Sequence, residues 1–192
     1  MNEKFLAIVN PAAGGGKAAK LAGTALAQLK AKGLTVDAIA STEPGHIAQL
    51  ASEAYAQGYR RFLAVGGDGT AHEVVNGVFQ HGPGGERVEL GFLPMGTGNS
   101  FLRDYSENGK DASLEALVQG RKRRVDVLRL RHAGGVIYSF NLISVGFTAD
   151  VGQGVACAQV IPSEATVLTG NTAVVLLVQL IWPPLRPNKA GE

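Results

Sequence analysis

The sequence predicts an α/β fold: a doubly wound parallel sheet, followed by the opening of an incomplete β-rich domain. Three observations lead there. Up to about residue 120, short apolar runs alternate with amphipathic segments, the pattern of βαβ units. The runs are unbroken rather than alternating, which suits strands buried on both faces of a parallel sheet. Glycine clusters follow the first, third and fourth runs, on the carboxyl edge where open α/β sheets bind their ligands.

Lys4–Val9 reads as the first strand and Asn10 to Gly16 as its loop. Lys17–Lys32 follows as an Ala-rich helix, with Leu21, Ala25 and Leu29 on one face and Gly33 as its stop. Leu34–Ala40 is the second strand, Ser41 to Gly45 a turn, and His46–Gln57 the second helix, closed by Gly58. Arg61–Val65 is the third strand and Thr70–Gln80 the third helix. After a loop from His81 to Gly85, Val88–Leu93 is the fourth strand, running into Pro94-Met-Gly-Thr-Gly-Asn-Ser100. Asp111–Gln119 is a short helix.

Beyond Gly120 the pattern changes. Arg123–Leu130 and Val136–Ile143 read as strands with no helix between them, hence an antiparallel pair. A boundary placed here gives an α/β domain over residues 1–120 and a partial β-rich domain with an irregular tail over 121–192. Ser144 to Gly152 reads as a further loop and strand, and Thr172–Trp182 fits a buried helix or a strand equally well.

Composition narrows the class. The chain has 192 residues, 45% hydrophobic and 18% charged, enough to bury a core. A net charge of +2 gives no reason to expect nucleic acid. The single cysteine, Cys157, excludes an internal disulfide and a multi-cysteine metal site, so a reducing, cytoplasmic setting is expected. The N-terminal residues lack the apolar core of a signal peptide, and the apolar run from Ala173 to Trp182 is too short to span a bilayer.

The most informative stretch is Phe62-Leu-Ala-Val-Gly-Gly-Asp-Gly-Thr-Ala-His-Glu73, a strand, a tight loop and a helix start. Glycines allow close approach to the main chain, and the helix start offers free N–H groups to phosphate. A carboxylate there, Asp68, makes sense with a cation such as Mg²⁺ between it and the phosphate. The plainer alternative is an ordinary βα turn with Asp as a turn residue.

Other residues admit two readings as well. The first loop fails the P-loop pattern, because Pro11 stands where its first Gly belongs and Ala18 replaces its hydroxyl. Gly14-x-Gly16-x-x-Ala19 does fit the dinucleotide pattern, with Asp37 ending the second strand 21 residues after Gly16. Lys17 is a phosphate-binding point charge or a solvated lysine. Thr42 donates to phosphate or caps a helix. His72 reads as a solvated or hydrogen-bonded residue, and His46, His81 and His132 form no metal-ligand spacing. The run Arg121-Lys-Arg-Arg124 is a solvated strand start or an attraction to anionic lipid.

Taken together, Asn10-Pro11-Ala-Ala-Gly14, Gly66-Gly67-Asp68-Gly69-Thr70 with Glu73-Val-Val-Asn76-Gly77, and Leu93-Pro94-Met-Gly96-Thr97-Gly98-Asn99 resemble a known family. They are similar to the catalytic domain of diacylglycerol kinases and related bacterial lipid kinases, including the sphingosine-kinase-like branch, in a superfamily shared with NAD kinases. Val125-Asp126 and Asn141 through Gly146-Phe147 resemble that family's passage into a β-sandwich domain. The resemblance implies ATP bound between lobes, Mg²⁺, and transfer of the γ-phosphate to a lipid hydroxyl, that of diacylglycerol or a sphingoid base, at a membrane surface. Carried over by motif, Asn10, Pro11, Ala12, Ala13, Gly14, Thr42, Gly66, Gly67, Asp68, Gly69, Thr70, Glu73 and Thr97 would contact ATP. Asp68 would act through the metal or the phosphates; the metal ligands stay unassigned. A cytoplasmic protein, peripheral at the inner membrane surface, is implied. The oligomeric state is left open, a homodimer included.

Two departures qualify the resemblance. Ser100 stands where the family commonly has Asp. The family's general base and further carboxylates lie late in the second domain, and residues 153–192 do not show them. The expectation is a C-terminally truncated kinase with weak or absent activity on its own. The alternatives are a nucleotide-binding remnant without catalysis and a Rossmann-type NAD(P)-binding oxidoreductase.

Overall fold

The computed structural model of the chain describes residues 4–80, 87–96, 99, 109–132, 134–140, 165–168 and 174–177, the last two segments as backbone strands. Thr97, Ser100, Cys157, the segment from Ser144 to Gly152 and the end of the chain lie outside the described residues.

Strands β1 (Phe5–Val9), β2 (Val36–Ala40), β3 (Arg61–Gly66) and β4 (Val88–Pro94) alternate with helices α1 (Lys17–Ala31), α2 (His46–Ala56) and α3 (Asp68–Phe79). The four strands form a parallel sheet in the order β2-β1-β3-β4, as the alternation requires. The unbroken apolar runs have the expected cause. Every residue of β1 is buried, and successive side chains enter opposite cores. Leu6 and Ile8 join Phe62 and Ala64 of β3 under α2 and α3. Phe5, Ala7 and Val9 join Leu63 and Val65 under α1 and the later helix α4 (Gly109–Val118). Burial of such a side chain stabilises by roughly 1.5–3 kcal/mol.

Because α1 covers one face while α2 and α3 cover the other, the connections leaving β1 and β3 diverge. These strands are neighbours, with Val9 beside Val65 in register. Their divergence opens a crevice at their carboxyl ends, the switch point of an open α/β sheet. Val65 is in turn beside Leu93, and Val9 beside Ala40, so all four carboxyl ends lie in one row.

Several boundaries depart from expectation. Helix α1 buries Ala18, Ala22, Ala25, Leu26 and Leu29, while Leu21 is 44% exposed. Steps of four, three and four follow a helical face more closely than the steps of four from Leu21 to Leu29. Helix α3 starts at Asp68, two residues ahead of Thr70, with Gly67 extended before it. A carboxylate in a first turn is stabilised by the helix dipole.

The stretch expected as one strand, Arg123–Leu130, is two: β5 (Arg123–Val125) and β6 (Val127–His132), parted at exposed Asp126. Strand β5 pairs antiparallel with β9 (Val174–Leu177), which itself lies parallel to β4, so both extend the first sheet. The segment around Thr172–Trp182 is thus a strand where it is described. The expected antiparallel pair is present: β6 pairs with β7 (Gly135–Ser139) on one side and β8 (Ala165–Leu168) on the other.

Candidate functional site

The loops after β1, β3 and β4 meet at the carboxyl edge and are fastened to one another. The Asn10 side chain shapes the first: its Oδ1 accepts the Ala12 N–H at 3.1 Å, and its backbone N–H bonds the Val65 carbonyl at 3.0 Å. The same amide reaches the second loop, donating from Nδ2 to Thr70 Oγ1 at 3.2 Å. Thr70 is 2% exposed. Its hydroxyl occupies the space beside Gly66, where a Cβ would stand 2.2 Å from Oγ1. Asn10 and Thr70 therefore hold two loops together.

The third loop is locked to both others. The N–H groups of Met95 and Gly96 bond the Gly66 carbonyl at 2.7 and 3.2 Å. Gly96 lies against Gly67, and Asn99, at φ 46°, donates from Nδ2 to the Gly96 carbonyl at 2.7 Å. Gly14 takes φ +62°, open to glycine, and a Cβ on it would stand 2.2 Å from the Met95 carbonyl oxygen. Pro11, Ala13 and Gly14 are half-buried within the first loop, and Ala12 is exposed on it.

The sequence-predicted residues fall into distinct places. Asp68 and Gly69 are half-buried in the first turn of α3, beside Gly67. Thr42 is exposed at the same edge, its N–H 3.2 Å and its Oγ1 2.9 Å from His46 Nδ1. Lys17 is exposed at the start of α1, whose cap residue Gly16 offers no side-chain bond and whose first turn has no acid. Thr97 lies outside the described residues.

Glu73 faces the start of α2. Burial pushes its carboxyl above the ordinary range, against the backbone N–H groups of Ala48, Ile47 and Gly45 at the start of α2. Its Oε2 is buried without a hydrogen-bond partner among the described residues. Burial likewise pushes the His72 imidazole down.

Asp37, the acid of the dinucleotide pattern, is on the wrong edge. It sits near the start of β2, beside Leu6, and its carboxyl accepts the Tyr59 hydroxyl at 2.7 Å with Lys4 3.6 Å away. The Tyr59 hydrogen bond chiefly holds it below its usual range. It cannot meet a ribose at the carboxyl ends, which removes the geometric basis of a Rossmann oxidoreductase. In the cationic run, Arg121 pairs with Glu115 at 3.2 Å and Lys122 with Glu89, which also holds Arg61 at 2.8 Å.

Asn76, one turn beyond His72, had no role assigned by sequence reasoning. Its side chain bonds the backbone of Tyr138 in β7 in both directions. A polar residue within the apolar periodicity of α3 was the available signal.

A parallel sheet with interlocked Gly loops at its switch point and a carboxylate in the following helix turn defines an open, doubly wound α/β domain. Comparison gives the family: residues 4–130 match the diacylglycerol kinase catalytic domain, and the chain belongs to that family. It is 31% identical over 147 residues to diacylglycerol kinases of Staphylococcus aureus strains RF122 and MRSA252, covering 76% of this chain and 44% of each relative. It also resembles the crystal structure of a diacylglycerol kinase from Bacillus anthracis str. Sterne, with TM-score 0.56 and 28% identity over 70% of this chain and 47% of that one. The chain thus spans less than half the length of these relatives.

Among the described residues no three His, Cys, Asp or Glu side chains gather as a metal site. Mg²⁺ typically uses one or two carboxylates, several waters and substrate phosphates, so the Asp68 carboxylate in the first turn of α3 fits it. No helix among the described residues is long and apolar enough to cross a membrane.

Proposed function

We propose that this chain forms the ATP-binding part of a lipid kinase that transfers the γ-phosphate of ATP to a lipid hydroxyl, with diacylglycerol as the favoured acceptor. One observation carries the reading: three loops, fixed to each other through Asn10–Thr70, Gly14–Met95 and Gly67–Gly96, surround the crevice between β1 and β3. Phosphoryl transfer depends on positioning and charge neutralisation, and a rigid loop cluster supplies the first.

In this reading the backbone of Ala12, Ala13, Gly14, Gly67 and Gly69 lines the phosphate site, with Pro11 shaping the first loop and Thr42 at its edge; Thr97 is a further ATP contact by resemblance alone. Asn10, Gly66 and Thr70 build the site from behind. Glu73 secures the start of α2. Asp68 orients the phosphates through Mg²⁺, which when bound neutralises charge on them. Residues 1–120 form the nucleotide domain, with β5 and β9 added to its sheet, and the rest of 121–192, from β6 on, begins the acceptor-side domain. A cytoplasmic protein working at the membrane surface follows from a lipid acceptor. The diacylglycerol preference takes its support from the names of the relatives.

The test is titration with ATP–Mg²⁺ and, separately, NADH, followed by transfer of labelled phosphate to diacylglycerol or sphingosine in mixed micelles. From a chain that spans less than half the length of its relatives, ATP binding with at most weak transfer is expected, and Asp68→Ala should lower that transfer at least ~10²-fold, the scale of losing one preorganised electrostatic group. Binding without transfer identifies a nucleotide-binding module instead. Binding of NADH alone sinks the reading.

A further inference from the structure

Among the described residues, strand β7 lies at one edge of the three-stranded sheet, in the order β7-β6-β8. An edge strand leaves a row of N–H and C=O groups without ladder partners, and buried ones need partners from elsewhere. At Tyr138, which is 5% exposed, the partner is a side chain. The Tyr138 N–H donates to Asn76 Oδ1 at 2.9 Å, and Asn76 Nδ2 donates to the Tyr138 carbonyl at 2.8 Å. The primary amide thus reproduces one rung of an antiparallel ladder.

The remaining hydrogen on Nδ2 is directed at the His72 carbonyl, 2.9 Å away and one turn back in α3. The orientation of the amide is therefore fixed from both ends: two carbonyl oxygens face Nδ2, with His72 Nε2 3.2 Å from it, and the Tyr138 N–H faces Oδ1. Ring contact reinforces the docking, with Phe79 of α3 stacked 4.9 Å from Tyr138. Helix α3 is also the helix whose first turn holds Asp68.

We infer that Asn76 is a positioning residue, a polar key that sets the register of the three-stranded sheet against the helix carrying the phosphate loop. The inference rests on the kinase reading proposed above. Through Asn76, ordering of the Asp68 turn by nucleotide is felt at β7, and the acceptor-side domain is held at a fixed place relative to the γ-phosphate. Asn suits this task because it supplies both donor and acceptor; Asp supplies only acceptors when ionised and would face two carbonyl oxygens.

Hydrogen exchange of the whole chain tests it, with and without saturating ATP–Mg²⁺. In the wild type, nucleotide should slow exchange across Gly135–Ser139 by at least ~5-fold, the lower end of usual coupling between sites. Asn76→Ala should erase that response and, because coupling is reciprocal, weaken ATP binding by about the same factor and no more.

Asn76→Asp supplies the readout that a purely structural role does not move. At about pH 8 it should behave as Asn76→Ala; near pH 5 the protonated carboxyl can donate to the Tyr138 carbonyl again and the response should return. His72 is the titratable side chain at this amide, 3.2 Å from it through Nε2, and Arg129 of β6 lies opposite Tyr138. Both are present in Asn76→Ala, so its pH series subtracts their effect. An undiminished β7 response in Asn76→Ala overturns the inference, as does the absence of acid rescue. A wild-type chain that binds no nucleotide overturns the kinase reading and this one with it.

Discussion

Gly67 and Gly96 touch backbone to backbone: a Cβ built on Gly96 would lie 2.6 Å from the Gly67 Cα and 3.2 Å from its nitrogen. Two turns that follow neighbouring strands are thereby packed at a distance only glycine permits.

Gly96→Ala should force these turns apart. Overpacking against backbone costs about 1–3 kcal/mol, and ATP affinity should fall with it. Gly91→Ala is the contrast, since its Cβ would meet the movable end of Leu117 at 2.7 Å, away from the loops. Calorimetric ATP titration should show a large loss for Gly96→Ala and near wild-type affinity for Gly91→Ala. Equal affinities would refute the loop-packing argument.

Gly77→Ala should damage stability and spare the site. A Cβ there would stand 2.1 Å from the Ala48 carbonyl oxygen, so α2 and α3 would have to separate. The expected loss is at least about 1–3 kcal/mol, read from the urea midpoint. Unchanged stability would show that the two helices are not in rigid contact.

His72 should shape the acid limb of stability. Its folded value lies below the ordinary 6.5 because burial disfavours the charged ring. As pH falls, the unfolded chain takes up the proton first. Stability is complete above 6.5 and is lost as pH drops from there through the lowered folded value. His72→Gln should flatten this limb in urea melts taken across pH; an identical slope would contradict the assignment.

Glu73 has the opposite sign. Its folded value lies above the ordinary 4.5, chiefly through burial. Its contribution is complete below 4.5 and is lost as pH rises through the raised folded value. Glu73→Gln should therefore gain on the wild type as pH rises through that window. A variant that loses ground instead would show that the ionised carboxylate is needed by α2.

The order of elements from β1 to α4 was legible because two-sided burial writes itself into sequence as unbroken apolar runs such as Phe5–Val9. The convergence of the loops was legible for the same reason, since parallel strands put their carboxyl ends on one edge. What escaped depends on distant partners. Asp126 parts two strands because those strands belong to different sheets, and β9 joins the first sheet from beyond residue 170. Thr70, read as a ligand contact, has its hydroxyl turned inward because Asn10 lies 60 residues away in sequence and next to it in space. Nothing near Asn76 announces Tyr138.

The carbonyl of Met95 fills the space left by the missing side chain of Gly14. During synthesis, the first loop emerges long before the strand that completes it. Until β4 has been made and has paired with β3, the loop is joined only to Val65 and Thr70, and Gly14 lacks the carbonyl that closes over it. A chain arrested before Val88 should remain open to proteolysis at these glycines, and one extended past Gly96 should resist it. The loop cluster proposed to hold the nucleotide is then a late event in the birth of the domain, although its first residues are among the earliest to appear.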